Sequence, residues 1–362
     1  MKGYPLSIVQ LAFVLMLSIG LMNHVIVIPL LLDVAKRDAW ISAILTLGLL
    51  PILVVLLYVV MRQSKQVNLF IWLKTEFSIV VAYIVAFFGT LLLLVISYVT
   101  LKDTVTFTTT TYLTSTPNWA IALVFSGLCF YNAYLGIDSI AKTSGIILPF
   151  VVIFGIFVMI TTTPHKDYSL LKPIMENGWD PVLRGMVYTG AGYVEILMIL
   201  FLQHRLQPRF PFVALLAIAI AAASLSIGPT IGAIIEFGPE KAMSFRYPAF
   251  EQWRLISLGT YIEHMDFLSI YQWISGAFIR ISLATALILE LFAITNQQTR
   301  RWVLIVVYIA IFSAILLPVS DPMFLQLLNR FVLPLSLWLM LGMSVLLAML
   351  ALISHIKTRR GS

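Results

Sequence analysis

The sequence predicts an all-α membrane protein with about ten transmembrane helices. Of its 362 residues, 60% are hydrophobic and only 11% are charged, and the mean hydropathy is +1.00. A soluble domain covers its surface with about 25% charged residues, so a chain with so few charges must expose apolar side chains to lipid. The length and number of its apolar runs then give the number of helices.

Ten apolar runs, numbered here as spans one to ten, approach the roughly 20 residues that a helix needs to cross a bilayer. They are Leu6–Leu32, Trp40–Met61, Phe77–Leu101, Trp119–Asn132, Thr143–Thr163, Val182–Leu202, Phe212–Ile235, Tyr271–Ile294, Trp302–Pro318 and Phe331–Ser354. We interpret the chain as a single membrane domain. Residues 1–163 hold five spans, 164–181 form an extracytoplasmic loop, 182–354 hold five more spans, and 355–362 form a cytoplasmic tail.

The distribution of charge predicts that both termini are cytoplasmic. With the N-terminus inside, the inner side holds twelve basic residues and two acids, whereas the outer side holds nine basic residues and eleven acids. Cytoplasmic loops are enriched in Lys and Arg, so the net charge of +7 is explained by orientation and indicates no nucleic-acid partner. The inner basic residues are Lys2, Arg62, Lys65, Lys74, Lys142, Arg205, Arg209, Arg300, Arg301, Lys357, Arg359 and Arg360.

Other classes of function receive little support. The one cysteine, Cys129, excludes an intrachain disulfide, and no Cys/His spacing typical of a metal site is present. Nucleotide-binding, serine-hydrolase and zinc-protease motifs are also absent. We therefore expect no enzyme activity, no metal and no cofactor. The first apolar run lacks a signal-peptide cleavage site, and we expect it to be a retained span.

Glycines interrupt spans one and six at comparable depths. Gly20 lies near the middle of span one, before Asn23 and His24, and Gly190 and Gly192 lie in span six. A glycine inside a helix costs about 1 kcal/mol relative to Ala, and close helix packing is one reason to keep it. Because these spans begin the two five-span halves, matched interruptions predict an inverted-repeat transporter fold with a midplane site. Breaks there would free backbone amides for an anionic group of a ligand.

Five charged residues lie within or at the edges of spans, namely Lys102, Asp103, Glu195, Arg280 and Glu290. Charges at this depth are expected to face the interior of the bundle. Glu195 and Glu290 are candidates for an ion or proton site, although Glu195 could instead cap its own half-helix. We expect Arg280 to meet an acid from an outer loop and Glu290 to lie near a cytoplasmic gate.

Four further positions allow both a functional and a structural interpretation. Tyr98 and Lys102 share a helix face and could line a pocket, or Lys102 could extend outward to water. The Thr285 hydroxyl could contact a ligand or bond to its own helix, and the His24 side chain could bind the ligand or serve a structural role.

Residues 250–256 alternate apolar and polar side chains, which predicts a short amphipathic helix that lies at the interface or caps a cavity.

Several stretches together resemble the B subunit of bacterial spore germinant receptors, a branch of the amino acid/polyamine/organocation transporter superfamily. They are SIVQLAFVLMLSIGLMNHVIVIPLLL, DAWISAIL, VISYVTLKDT, YTGAGYVEILMI and AFEQWRLISLGTYIEHMDFLSIYQWISGAFIRISLATALILE. The resemblance covers essentially the whole chain, and its motifs are specific in combination rather than singly.

This resemblance implies a LeuT-like 5+5 inverted repeat with helices 1 and 6 broken, residence in the spore inner membrane, and partnership with A and C subunits. It implies a small germinant, such as an amino acid, bound among spans one, three, six and eight. The residues that it places in the pocket are Gly20, Tyr98, Lys102, Gly190, Gly192, Leu197 and Thr285. Lys102 departs from the apolar residue expected for a small amino-acid ligand.

Two alternatives stay open at this point. A proton- or cation-coupled amino acid permease would need an ion site, for which Glu195 and Glu290 are candidates. The nearest match to the span-five lysine of proton-coupled superfamily members is Lys142, at the cytoplasmic edge, which weakens this alternative. A membrane scaffold without a ligand is disfavoured by the matched interruptions.

Overall fold

Helices form nearly all of the part of the chain that the computed structural model describes, residues 5–256 and 265–360. Lys2, the end of the predicted tail and the middle of the second long outer loop lie outside the described residues. The helices are α1 Ile8–Leu21, α2 Val27–Ala35, α3 Ala39–Gln63, α4 Leu69–Glu76, α5 Ile79–Thr111, α6 Asn118–Leu135, α7 Ile137–Thr161, α8 Trp179–Tyr193, α9 Met198–Leu202, α10 Phe212–Ser224, α11 Ile227–Phe237, α12 Pro239–Ser244, α13 Pro248–Arg254, α14 Phe267–Leu291, α15 Gln297–Ile315, α16 Asp321–Leu327 and α17 Leu333–Arg360. No strand occurs within these two ranges, and the predicted all-α class is confirmed.

Nine continuous helical stretches within residues 5–256 and 265–360 are long and apolar enough to cross a membrane. The first, Ile8–Gln63, has 56 residues and would be about 84 Å long if straight, against a hydrocarbon core of about 30 Å. It turns at Lys36–Asp38, where Lys36 has a φ of 53°, and α2 and α3 pack against each other and against α8. The nine stretches therefore contain ten crossings, in agreement with the predicted number.

The third span is longer than the sequence predicts, because α5 continues from Leu101 to Thr111. Its last residues are polar, but the hydroxyls of Thr108 and Thr109 donate to the carbonyls of Thr104 and Val105 one turn earlier. Such bonds give each threonine hydroxyl a hydrogen-bond partner within the same helix. Lys102 and Asp103 consequently lie within a helix, not at its end.

The predicted interruptions of spans one and six are changes of helix type, and the chain does not unwind there. Span one has a π-helical segment, Met22–Ile26, between α1 and α2, and span six has a 3-10 segment, Val194–Leu197, between α8 and α9. Both types keep backbone hydrogen bonds, with different spacing. The expectation of freed amides is therefore wrong for this conformation, and the inverted 5+5 repeat stays a prediction.

Spans six and eight form the centre of the bundle. In their most apolar 18-residue windows, 89% and 83% of the residues are buried, against 11% in span five.

The start of span one is fixed by a capping box between Ser7 and Gln10, with hydrogen bonds of 3.0 and 3.1 Å. The Leu6 amide also donates to the Arg205 carbonyl at the end of span six, at 2.7 Å. Spans one and six are thus in register at their inner ends.

A close approach joins the two irregular segments. A Cβ atom built on Gly192 would lie 1.9 Å from Asn23 Oδ1 and 3.5 Å from Met22 Cγ. Asn23 is fully buried, and its Nδ2 donates to the Ala222 carbonyl of span seven at 2.9 Å. Gly192 therefore lets span six lie directly against the π-helical segment of span one.

We predict that Gly192→Ala lowers the melting temperature of the purified protein, because the new methyl group displaces the Asn23 side chain. Adding Asn23→Ala removes the overlapping atom and should recover part of the loss. Gly127→Ala on α6 is the control, since nothing lies within 4 Å of its added Cβ and Ala favours a helix. An unchanged melting temperature in Gly192→Ala would contradict this packing.

Candidate functional site

A buried ion pair lies at the centre of the bundle, between Glu195 of span six and Arg280 of span eight. Arg280 Nη1 and Nη2 lie 2.5 and 2.6 Å from the two carboxylate oxygens of Glu195. The side chains are 1% and 3% exposed. A two-point contact between guanidinium and carboxylate is among the strongest hydrogen-bonded pairs in proteins.

The same guanidinium also bonds to spans one and three. Arg280 Nη1 donates to the Ser18 carbonyl at 2.8 Å, and Nε donates to Thr100 Oγ1 at 3.0 Å. The Ser18 carbonyl lies just before the π-helical segment, and Glu195 lies within the 3-10 segment. One cation therefore joins spans one, three, six and eight at the depth of both irregular segments.

This geometry corrects the expected partner of Arg280. The sequence suggested an acid from an outer loop, but the partner is Glu195, from within span six. As a candidate ion or proton site, Glu195 has both carboxylate oxygens occupied by the guanidinium. An external cation that binds there would share this carboxylate with Arg280.

The three predicted glycines lie at contacts between helices. A Cβ on Gly20 would be 2.9 Å from Leu225 Cδ1, and one on Gly190 would be 3.2 Å from Leu337 Cδ1. Gly192 contacts Asn23, as described above. The small-residue packing interpretation therefore accounts for all three, while a ligand role stays a prediction.

The other predicted pocket residues are dispersed. Leu197 is buried in the 3-10 segment of span six, and Tyr98 is half-buried on α5. The Thr285 hydroxyl bonds to the Ile281 carbonyl at 2.9 Å and to Tyr308 Oη at 3.0 Å. Lys102 Nζ donates to the Val319 carbonyl, between spans nine and ten, at 2.9 Å.

A cavity of about 320 Å³ includes one predicted residue, Gly20, and its lining residue Gly276 lies one helical turn before Arg280 on α14. Spans one, five and eight form its walls, and α13 lies across it. Its lining is mainly apolar, with polar atoms at His24, Ser269 and Gln272. Among the predicted ligand-binding residues, the other six do not line it.

The amphipathic stretch 250–256 forms α13 up to Arg254 and covers this cavity rather than lying only at the interface. Phe250 and Trp253 line the cavity, and Trp253 is 3% exposed. The Trp253 indole N–H donates to Gln272 Oε1 at 3.1 Å, and Gln272 Nε2 donates to the Val151 carbonyl at 2.8 Å. These bonds link α13 to spans eight and five.

An aromatic cluster borders the cavity, since two of its rings, Phe250 and Trp273, also line the cavity. Phe107 stacks on Trp273 with ring centroids 3.9 Å apart. Tyr247 and Phe250 contact the Phe107 ring edge-on at 5.2 and 5.3 Å. This cluster could not be predicted from the sequence, because its four rings come from span three, span eight and the outer loop.

A second charged cluster closes the outer end of the bundle. Arg246, in the outer loop, bonds to Asp103 of span three at 2.5 Å and to Asp321 at the start of α16 at 3.0 Å. Burial lowers the pKa of Arg246, but the carboxylates of Asp103 and Asp321 outweigh this effect and raise its pKa above the ordinary value. Arg246 therefore stays charged and connects three outer segments.

Near the C-terminal end of α14, Glu290 has two cationic or ionisable neighbours, and its place near a cytoplasmic gate stays a prediction. Glu290 Oε2 is 2.9 Å from His204 Nε2, and Oε1 is 3.1 Å from Arg300 Nη1. Asn68 Nδ2 donates to the Glu290 carbonyl at 2.7 Å.

Within residues 5–256 and 265–360, no group of three or more His, Cys, Asp or Glu side chains is placed to hold a metal.

We predict that Arg246→Gln destabilises the protein by on the order of 3 kcal/mol, since it leaves the buried Asp103 carboxylate without a cation. The double variant Arg246→Gln/Asp103→Asn should be more stable than Arg246→Gln alone. Arg254→Gln is the matched control, because its side chain is 59% exposed and pairs with Glu251 on the same short helix. Equal melting temperatures for Arg246→Gln and Arg254→Gln would contradict the role of the outer cluster.

Comparison with known proteins places these features in a family. The family model described as "Spore germination protein" matches residues 6–323. The chain is 44% identical to Spore germination protein XB of Bacillus anthracis, over 97% of this chain and 98% of that protein. It is also 31% identical over 90 residues, about a quarter of either chain, to Spore germination protein YndE of Bacillus subtilis strain 168. The chain therefore belongs to the spore germination protein family, a family of membrane permeases and receptor-like proteins.

Proposed function

We propose that this protein is the nutrient-sensing B subunit of a spore germinant receptor. In this proposal it lies in the spore inner membrane with both termini in the cytoplasm, has no catalytic role, and binds a small germinant inside the bundle. Ligand binding is then signalled to A and C subunits. The observation that carries the proposal is the apolar cavity between spans one, five and eight, with α13 lying across it.

The chemistry of the cavity supports a small, largely apolar ligand. Ligand sites are usually apolar cavities with a few polar groups that fix orientation, and about 320 Å³ is a volume suited to an amino acid. The rings of Phe250 and Trp273 and the side chain of Met16 form apolar walls, whereas His24 supplies a polar edge. An amino acid with an apolar side chain fits this lining best.

Signalling requires that the ligand favour one arrangement of the bundle over another. The cavity touches the π-helical segment of span one through His24 and Val25, and that segment contacts span six at Gly192. A ligand that holds α13 against span one would thereby bias the position of span six. We propose that Tyr98, Lys102, Gly190, Leu197 and Thr285 act along these moving contacts rather than in the first contact with the ligand.

A coupled amino acid permease is the alternative, and the two candidate coupling residues argue against it. Glu195 is bound by Arg280, and Glu290 is bound by His204 and Arg300. Coupling would require one of these carboxylates to release its partners in every cycle. Gradient-driven accumulation of an amino acid in proteoliposomes would identify a permease and contradict a receptor-only role.

We predict that Gly155→Leu strongly reduces the germination response of spores that carry only this receptor. Gly155 lines the cavity from span five, and its added Cβ would lie 3.7 Å from Gln272 Nε2, so the side chain fills the cavity without a severe backbone clash. Gly127→Leu on α6 is the control, since an added Cβ there has nothing within 4 Å. Membrane levels of both variants are measured by immunoblotting.

The two variants should accumulate equally, with a right-shifted or absent response only for Gly155→Leu. A normal germinant dose response in Gly155→Leu would place ligand binding outside this cavity.

A further inference from the structure

A second cavity, of about 650 Å³, lies at the predicted cytoplasmic ends of spans two, six and seven. It is bounded by the loop that follows α3 and the loop that precedes α10. Three cations line it. Arg62 belongs to the last turn of α3, Lys65 to the loop that follows α3, and Arg209 to the loop that precedes α10. The first and last of these are far apart in sequence, so the fold brings them together.

None of the residues lining this cavity is acidic. In the described part of the chain, Arg62, Lys65 and Arg209 take part in no ion pair, whereas other inner arginines do: Arg205 pairs with Asp138 and Arg300 with Glu290. Like charges that converge without a counter-charge repel one another. The three side chains are exposed, so an anion that enters the cavity meets three cations and no competing carboxylate among the lining residues.

The two loops that border the cavity have a specific backbone geometry, which positions their exposed cationic side chains on one side of the bundle. Lys65, Gln66 and Arg209 have φ values of 51°, 57° and 59°, a region that residues other than glycine seldom adopt. Gln66 joins the two loops, because its Nε2 donates to the Gln207 carbonyl at 3.2 Å and its Oε1 accepts from the Phe210 amide at 3.2 Å. This clamp holds together the two loops that carry Lys65 and Arg209.

The surface next to the cavity faces lipid. Ile52 and Val55 on α3 are 63% and 47% exposed, and Val213 at the start of α10 is 74% exposed. Arg62 lies seven residues after Val55, on the same face of the helix. The cations therefore lie just beyond an apolar stripe, at the height where the acyl chains of a lipid end and its headgroup begins.

We propose that this cavity binds the phosphate headgroup of an anionic phospholipid from the adjacent leaflet. Basic pockets between transmembrane helices on the cytoplasmic side suit such headgroups. The enrichment of cytoplasmic loops in Lys and Arg explains why these loops are basic. It does not explain why three of the basic residues line one cavity. The acyl chains would lie along Ile52 and Val55.

A bound headgroup would stabilise the inner ends of several spans at once. The loop that contributes Arg209 follows Arg205, whose carbonyl accepts the Leu6 amide at the start of span one. Lipid binding would thus fix spans one, two, six and seven relative to one another, at the end of the bundle opposite to the outer cluster.

The test compares the purified protein in nanodiscs of phosphatidylcholine with and without phosphatidylglycerol, at low and high salt. Phosphatidylglycerol should raise the melting temperature of the wild type, and high salt should reduce this shift. The shift should be lost in Arg62→Gln/Lys65→Gln/Arg209→Gln. A control variant, Lys74→Gln/Lys142→Gln/Arg301→Gln, removes three exposed inner cations that have no ion pair in the described structure and should keep the wild-type shift.

Three results would overturn the proposal. These are an absent shift in the wild type, an equal shift in both triple variants, and stabilisation of the detergent-solubilised wild type by inorganic phosphate to the extent seen with phosphatidylglycerol. The last result would assign a free anion to the site. If the first triple variant fails to fold, Arg209→Gln alone should give a reduced shift, and a full shift there would also contradict lipid binding.

Discussion

The Glu195–Arg280 pair imposes the main constraint on this bundle. Neither charge is stable alone in a water-free interior, and a buried ion pair is favourable only when its geometry and remaining hydrogen bonds are nearly complete. Arg280 meets that condition by using Glu195, the Ser18 carbonyl and the Thr100 hydroxyl together. Spans one, three, six and eight are consequently held at one depth, and the irregular segments of spans one and six lie at that depth.

Two further polar clusters lie toward the two ends of the bundle. Arg246 joins span three, the outer loop and α16, while Glu290 joins spans six, eight and nine through His204 and Arg300. The apolar cavity is lined by residues of spans one, five and eight and of α13. In the proposed receptor, a ligand in this cavity contacts the π-helical segment of span one directly and acts on span six through that segment.

Much of the fold could be predicted from the sequence because lipid imposes a simple requirement of length and hydropathy. The five charges at membrane depth were also recognisable, since each is costly unless paired. Their partners were not, because the pairing of Arg280 with Glu195 depends on how spans six and eight pack. Span three extends beyond its predicted end at Leu101, because the threonine hydroxyls that follow bond within the helix.

The candidate site was harder to predict for a related reason. Gly190 and Gly192 mark positions where helices approach closely, and glycine in a sequence does not distinguish packing from ligand binding. Phe250 and Trp253 were recognisable as one face of an amphipathic segment, but only the structure places them over a cavity. Trp273 and Phe107 gave no signal, since a stacked pair from two distant spans leaves no pattern in either.

The most direct test of this account is a double-mutant cycle on Glu195→Gln and Arg280→Gln, with melting temperature measured in the same detergent. Each single variant leaves one buried charge unpaired and should be strongly destabilised, by about 3–5 kcal/mol. The double variant should be considerably more stable than the sum of the two losses implies. Additive losses would show that the two charges do not interact and would contradict the central role of the pair.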